Sequence, residues 1–384
     1  MSGLVLVNGG LTSVQGPRAR ALFGGRAEIV YKEKGRLGSM PSLARAVRDS
    51  RASWIYCIDL GVPGAPIAAF LRRPGARLIY EIGDPSAILF ENQGRPGWEV
   101  WLARLLENDL PARADALVFR GSYLLERFRS EASLRGKVLP PSYFVPDGVD
   151  TEQVRPARSS ERVANLRRGL GLEGMFVVGL VGSLHYNRRT GSCYGLELVE
   201  ALLLLPEPAN VRGVVVGDGP GLPFLRRRIE SLGLTHRVSL VGRVPHSEIS
   251  DWLNLLDVGI STQTDDAVGW GRTTAKLPEY LAAGVVVVST DVGEAHRLFG
   301  SSLQTLPFQG MVDNAYPARL AERIVELQRL DLDELRKSNR LLAVQHFDYR
   351  VLRDRVSQVI GARDVLAPGG SPTRDAADTM QGPT

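Results

Sequence analysis

Short apolar runs alternate with amphipathic stretches along nearly the whole chain. Residues 4–7, 27–31, 54–59, 77–82, 116–119 and 143–145 are brief runs dominated by apolar, β-branched and aromatic side chains, which predicts strands. Helical spacing separates them at 16–23, 41–49, 66–71, 98–110 and 123–128. Pro17 falls in a first turn, where its missing N–H costs nothing. The turn-rich stretch 146–158 interrupts the rhythm, which then resumes. Strands are predicted at 176–181, 212–216, 238–241, 258–261 and 285–290, and helices at 196–205, 223–232, 248–255, 318–330, 332–343 and 349–360. Residues 183–195 read as a long polar loop.

Strand–helix alternation of this kind predicts an α/β protein with parallel, doubly wound sheets. The break at 146–158 divides it into a first Rossmann-like domain, residues 1–150, and a second, residues 151–345. At 384 residues the chain is long for a single core, which agrees with two. Residues 363–384 are rich in Gly, Pro, Asp and Thr and are expected to be a disordered tail.

Composition narrows the classes. The chain is 44% apolar and 23% charged, as in soluble globular proteins, and has no apolar run near the ~20 residues of a membrane-spanning helix. The run at 4–7 lacks the basic flank and length of a signal peptide, and Cys57 and Cys193 form no framework. A reducing cytoplasm is the expected setting. The formal net charge is +5, carried mostly by Arg, and no aromatic interleaving marks a nucleic-acid groove. Anionic substrates, or peripheral contact with a lipid surface, are compatible with that balance.

Chemistry concentrates between Gly269 and Glu294. Gly269 and Gly271 predict a permissive loop, and Thr273 or Thr274 is expected to N-cap a short helix stopped by Gly284. Free N–H groups at such a helix start suit a phosphate, and Lys276 adds a full charge there. Glu279, on the same turn, is an acceptor able to hold ribose hydroxyls.

Lys-Leu-Pro-Glu-Tyr-Leu-Ala-Ala-Gly at 276–284, followed by a valine strand and Thr-Asp-Val-Gly-Glu, resembles the donor-binding signature of retaining, nucleotide-sugar-dependent glycosyltransferases of family 4, which have the GT-B fold. Val-Val-Gly-Asp-Gly-Pro at 215–220, Val-Gly-Arg-Val at 241–244 and Val-Pro-Asp-Gly-Val-Asp at 145–150 occur in the order that family uses. The resemblance implies an interdomain cleft with the acceptor on the first domain and a nucleotide sugar, UDP-linked by expectation, on the second. The last helix, 346–362, would cross back to the first domain. Neither metal nor cofactor beyond the donor is implied. Thr273, Thr274, Ala275 and Lys276 would hold the diphosphate, with Arg188 or Arg189 from the loop after Gly182 and Ser183. Arg243 and Val244 would lie by the base, where backbone does the reading.

Two departures stand out. The family commonly has two glutamates with seven residues between them, and Gly271 occupies the place of the first. Asp265 or Asp266 is a substitute, or Arg272 signals another donor. Gly83 stands where a histidine often precedes an aspartate, leaving Asp84 as the acceptor contact. A same-fold epimerase would need an acid–base carboxylate pair, and a non-catalytic nucleotide-sugar binder is the other alternative. The histidines show no metal-ligand spacing, and no dinucleotide fingerprint or nucleophile elbow is present.

Overall fold

A computed structural model of the chain describes residues 3–362 apart from 12, 14, 36, 189, 207–209 and 299–303. The expected tail at 363–384 lies outside the described residues. The first part runs β1 (Gly3–Val7), α1 (Gln15–Phe23), β2 (Ala27–Tyr31), α2 (Met40–Asp49), β3 (Trp54–Ile58), α3 (Gly64–Leu71) and β4 (Arg77–Ile82). It continues with α4 (Ser86–Asn92), α5 (Gly97–Asp109), β5 (Ala116–Phe119), α6 (Ser122–Leu134) and β6 (Ser142–Phe144).

The second part opens with α7 (Glu161–Gly169), β7 (Phe176–Val181), β8 (Tyr186–Asn187), β9 (Ser192–Cys193), α8 (Leu196–Leu204), β10 (Val211–Val216) and α9 (Leu222–Ser231). Then come β11 (Val238–Gly242), α10 (Ile249–Asn254), β12 (Val258–Ser261), α11 (Ala267–Gly271), α12 (Lys276–Ala282), β13 (Val286–Thr290), α13 (Glu294–Leu298) and β14 (Gln304–Leu306). The chain closes with α14 (Tyr316–Gln328), α15 (Asp333–Leu342) and α16 (Tyr349–Gly361).

Two six-stranded sheets result, in the orders β2-β1-β3-β4-β5-β6 and β11-β10-β7-β12-β13-β14. Pairing is parallel throughout both. Helices cover both faces, so the central strands β7, β12 and β13 are buried apart from Phe176 at the start of β7, as their apolar sequences require.

The structure adds what periodicity concealed. Helix α4 follows Pro85 with a mostly unpatterned sequence, and α7 shows only one buried residue, Val163, although Ser160 Oγ accepts from the Val163 N–H to start it. Helix α6 runs on to Leu134 beyond the expected 128. The supposed loop 183–195 folds partly into an antiparallel ribbon, β8 with β9.

Helix α16 lies on the first sheet. Leu352, Val356 and Val359 share a core with Val5, Val7, Leu22 and Tyr56, and Arg353 donates to the Ala21 carbonyl at 3.0 and 2.6 Å. Burying three such aliphatic side chains contributes roughly 1.5–3 kcal/mol each, ample to hold one helix. The two passes of the chain between the parts touch one another. Val149 N donates to Phe347 O at 2.9 Å and Tyr349 N to Val149 O at 3.0 Å.

Candidate active site

Both sheets reverse their winding direction near the middle, between β1 and β3 in the first and between β7 and β12 in the second. Crevices beyond the carboxyl ends of strands at such points are where doubly wound folds bind ligands. At the second crevice, β7 is followed by Gly182, whose φ is +142°. A Cβ there would lie 2.2 Å from Lys276 Cε, so glycine is what admits the lysine to this position. Lys276 Nζ stands 3.5 Å from the centroid of the Tyr194 ring, a cation–π contact that fixes the ammonium at the start of α12. Burial, with Arg272 next, drives its pKa down to about 7, against an opposing pull from Glu279. Burial pushes Glu279 up to about 7, opposed by Lys276 and reinforced by Asp147.

Several expectations need correction here. Gly269 and Gly271 do not form a left-handed loop. They lie in α11, which Asp266 caps by accepting from Gly269 N at 2.8 Å. Neither Thr273 nor Thr274 caps α12, whose N-cap position is Ala275 with helical backbone and no side-chain cap. Thr273 is drawn away because its Oγ1 donates to Asp147 Oδ2 at 2.9 Å, while Thr274 Oγ1 is buried without a hydrogen-bond partner. Asp265 and Asp266, the candidates for the acid missing at 271, are both engaged in local hydrogen bonds. Asp265 accepts from the Trp270 indole at 2.7 Å, and Asp266 accepts from Asn92 at 2.9 Å besides capping α11.

Asp84 faces the second domain, and its Oδ1 accepts from Arg272 Nε at 2.9 Å. Burial alone would raise its pKa, but Arg272 and Arg120 outweigh it and hold the carboxyl below its usual value. Arg272 thus stands beside Lys276 while pairing across the cleft. Ser183 and Arg188 are exposed, Arg188 in the turn of the β8–β9 ribbon, and Arg189 falls outside the described residues. Arg243 is exposed beyond β11, and Val244 packs half-buried on the core. Among the described residues, Arg272 is the cation whose charge acts on Lys276.

Sequence reasoning missed a buried charge network under the cleft. Arg18 bridges Glu81 through Nε at 2.9 Å and Nη2 at 3.2 Å, and Tyr56 donates to Glu81 at 2.7 Å. Arg18 also donates to the carbonyls of Pro146 and Val145 at 2.7 and 3.1 Å. Arg120 pairs with Asp59 at 3.1 Å and Asp147 at 3.5 Å, and Asp147 passes the network to Thr273. These residues are scattered over the first half of the chain, so no local motif announces them.

A further set of contacts closes the cleft's rim. Arg297 grips Glu126 at 2.7 and 3.1 Å and Ser122 Oγ at 3.0 Å, and lies 4.1 Å over the Tyr123 ring. Tyr123 meets Trp270 edge-on at 4.8 Å, and Glu294 accepts from the Ser122 N–H at the start of α6.

With this geometry in place, comparison with known proteins is informative. Residues 175–329, carrying Gly182, Lys276 and Glu279, match the family model described as glycosyl transferases group 1. This segment resembles the glycosyl transferases of group 1. The whole chain has the GT-B fold. The crystal structure of Anabaena Alr3699/HepE in complex with UDP superposes with a TM-score of 0.71 at 17% identity, covering 94% of this chain and 99% of that one. The same protein in complex with UDP-glucose gives 0.71 at 17%, with 93% and 99% covered. Among curated proteins, the chain is similar to 2-deoxystreptamine glucosyltransferase of Streptomyces kanamyceticus, 29% identical over 202 residues, 52% of this chain and 49% of the relative. It is also similar to the phosphatidylinositol N-acetylglucosaminyltransferase GPI3 subunit of Saccharomyces cerevisiae, 23% identical over 197 residues, 50% and 40% of the two chains. The match thus spans about half the length of these relatives or less.

Proposed function

We propose that the chain transfers a sugar from a nucleotide sugar, UDP-linked, to a hydroxyl acceptor with retention, as in family 4 glycosyltransferases. The observation that carries this is Lys276, held over Tyr194 against Gly182 at the start of α12, with Arg272 on one side and Glu279 on the same turn. A diphosphate placed there meets two cations and the N–H groups of the helix start. The bound UDP and UDP-glucose in a structural neighbour favour the uridine nucleotide. The acceptor then lies on the first domain, beyond the carboxyl ends of its strands. In a retaining transfer of this kind, the leaving diphosphate oxygen takes the acceptor's proton while the sugar–oxygen bond breaks ahead of attack. The protein needs no covalent nucleophile, only positioning and charge stabilisation. Two buried, unpaired cysteines suit action in the cytoplasm.

The test is UDP release from UDP-glucose, measured with and without glucose, 2-deoxystreptamine or diacylglycerol in phosphatidylcholine vesicles. Acceptor-dependent release is expected. No UDP release with any of the three would fit a binding protein, and interconversion of the donor without release would mark an epimerase.

Because Lys276, Arg272 and the helix start supply the positive charge, transfer is expected to persist in excess chelator. Loss of activity restored by added magnesium or manganese would overturn the metal-independent mechanism. Glu279→Ala is expected to weaken UDP-sugar binding by roughly 1.5–3 kcal/mol, the range for a hydrogen bond to a charged group, with kcat much less affected. Calorimetric titration of the variant with UDP checks it. Unchanged affinity would remove Glu279 from the ribose site.

A further inference from the structure

The first domain carries its own crevice at the β1–β3 winding reversal, and Asp59 is the residue at its lip. Asp59 follows β3 directly and takes a φ of +68°, the one left-handed non-glycine among the described residues. Three groups hold it there. Asn8 Nδ2, beyond β1, donates to the Asp59 carbonyl at 2.7 Å; Gln15 Nε2 donates to Oδ2 at 2.9 Å; Arg120 Nη2 donates to Oδ1 at 3.1 Å. Its side chain is still 22% exposed, so the carboxylate keeps lone pairs accessible beyond the end of β3.

Arg120 reaches Asp59 through space that only a glycine could leave. A Cβ on Gly83 would sit 1.4 Å from Arg120 Nη2 and 2.0 Å from Cζ, inside the guanidinium itself. The glycine in front of Asp84 is therefore matched to an arginine from the end of β5. That arginine is more than nine-tenths buried, and its Nε has no hydrogen-bond acceptor. Asp84, the neighbouring carboxylate, has one oxygen occupied by Arg272.

We infer that Asp59 is the acceptor-binding carboxylate of the first domain, taking a hydrogen bond from an acceptor hydroxyl, and that Arg120, seated over Gly83, is the residue that positions it. The inference rests on the transferase reading above. Asp84 then serves closure through Arg272, and specificity for the acceptor resides at the β1–β3 crevice. The charge on Arg120 is balanced by Asp59, Asp147 and Glu81, so its role is to aim Asp59 and not to bind an anion.

The test uses the full-length protein with UDP-glucose and whichever of glucose, 2-deoxystreptamine and diacylglycerol vesicles gives the fastest acceptor-dependent UDP release. Asp59→Asn keeps the shape of the side chain and should raise acceptor KM at least tenfold while leaving the Kd for UDP within twofold. Gly83→Ala should do the same by pushing the guanidinium aside, and Arg120→Ala likewise. Combined, Gly83→Ala should add nothing to Arg120→Ala, because the added methyl no longer has a guanidinium to displace. Arg120→Lys, which can still pair with Asp59, should recover part of the loss. Wild-type acceptor KM in Asp59→Asn, additive effects in the double variant, or a parallel loss of UDP affinity overturns the inference alone. Absence of acceptor-dependent release from the wild type overturns the transferase reading, and the role of Asp59 with it.

Discussion

Lys276→Ala is expected to lower kcat by on the order of 10²–10³, the scale for losing one preorganised group that stabilises developing charge. The KM for the UDP-sugar should rise far less. Negative charge on the diphosphate grows as the sugar departs, so an ammonium fixed beside it gains more in the transition state than in the bound donor. The surroundings sharpen this asymmetry. Burial and Arg272 lower the lysine's pKa to about 7, and an arriving diphosphate favours the charged form. Donor binding should therefore take up protons, with affinity greatest at and below pH 7 and falling as pH rises above it. Calorimetry in two buffers of different ionisation enthalpy reads the proton uptake, and steady-state kinetics reads the kcat. A variant with wild-type kcat would leave Arg272 as the leaving-group cation and remove Lys276 from the chemistry.

Glu81→Ala is expected to destabilise the protein by about 3–5 kcal/mol, the cost of leaving one member of a buried ion pair without its partner. Glu81 and Arg18 are essentially inaccessible, with side-chain exposures of 0% and 2%. Removing the carboxylate strands the Arg18 guanidinium and the Tyr56 hydroxyl together, and Arg120 loses a nearby counter-charge. Replacing Arg18, Glu81 and Tyr56 together by Met, Leu and Phe should be far milder, since no charge would then remain unpaired at that position. Urea unfolding of both variants decides between them. A loss below 1 kcal/mol for Glu81→Ala would mean that water reaches the network.

The fold was largely legible because its strands are short, apolar and evenly spaced, and because fully buried parallel strands need continuous runs such as the valines of β13. Lys276, Glu279 and Asp84 were singled out for a different reason. They sit at strand ends or at a helix start, where chain order alone places ligand contacts. Arg272 was singled out only as a sign of donor chemistry, since nothing local reveals that its partner lies 188 residues away in Asp84. Arg120 and Asp59 gave no signal because each is an ordinary residue after an ordinary strand. Only the sheet order brings their ends together, and only the missing Cβ at Gly83 makes room between them. The α12 cap was misread because Thr273 has a better acceptor in Asp147, a choice set by tertiary contact over local preference.

The backbone contact of Val149 with Phe347 and Tyr349 has a mechanical meaning. Two chain segments joining two bodies at separate points would clamp them, and one segment alone would leave a swivel. Here the two segments lie side by side and are bonded to each other, so they act as the pin of a door. Rotation about that pin is soft, while twisting or sliding would have to shear hydrogen bonds. Contacts at the far edge of the cleft, Arg272 with Asp84 and Arg297 with Glu126, are then carried on the same leaf. They part and meet together, so weakening either one should shift the whole opening equilibrium and not a local flap.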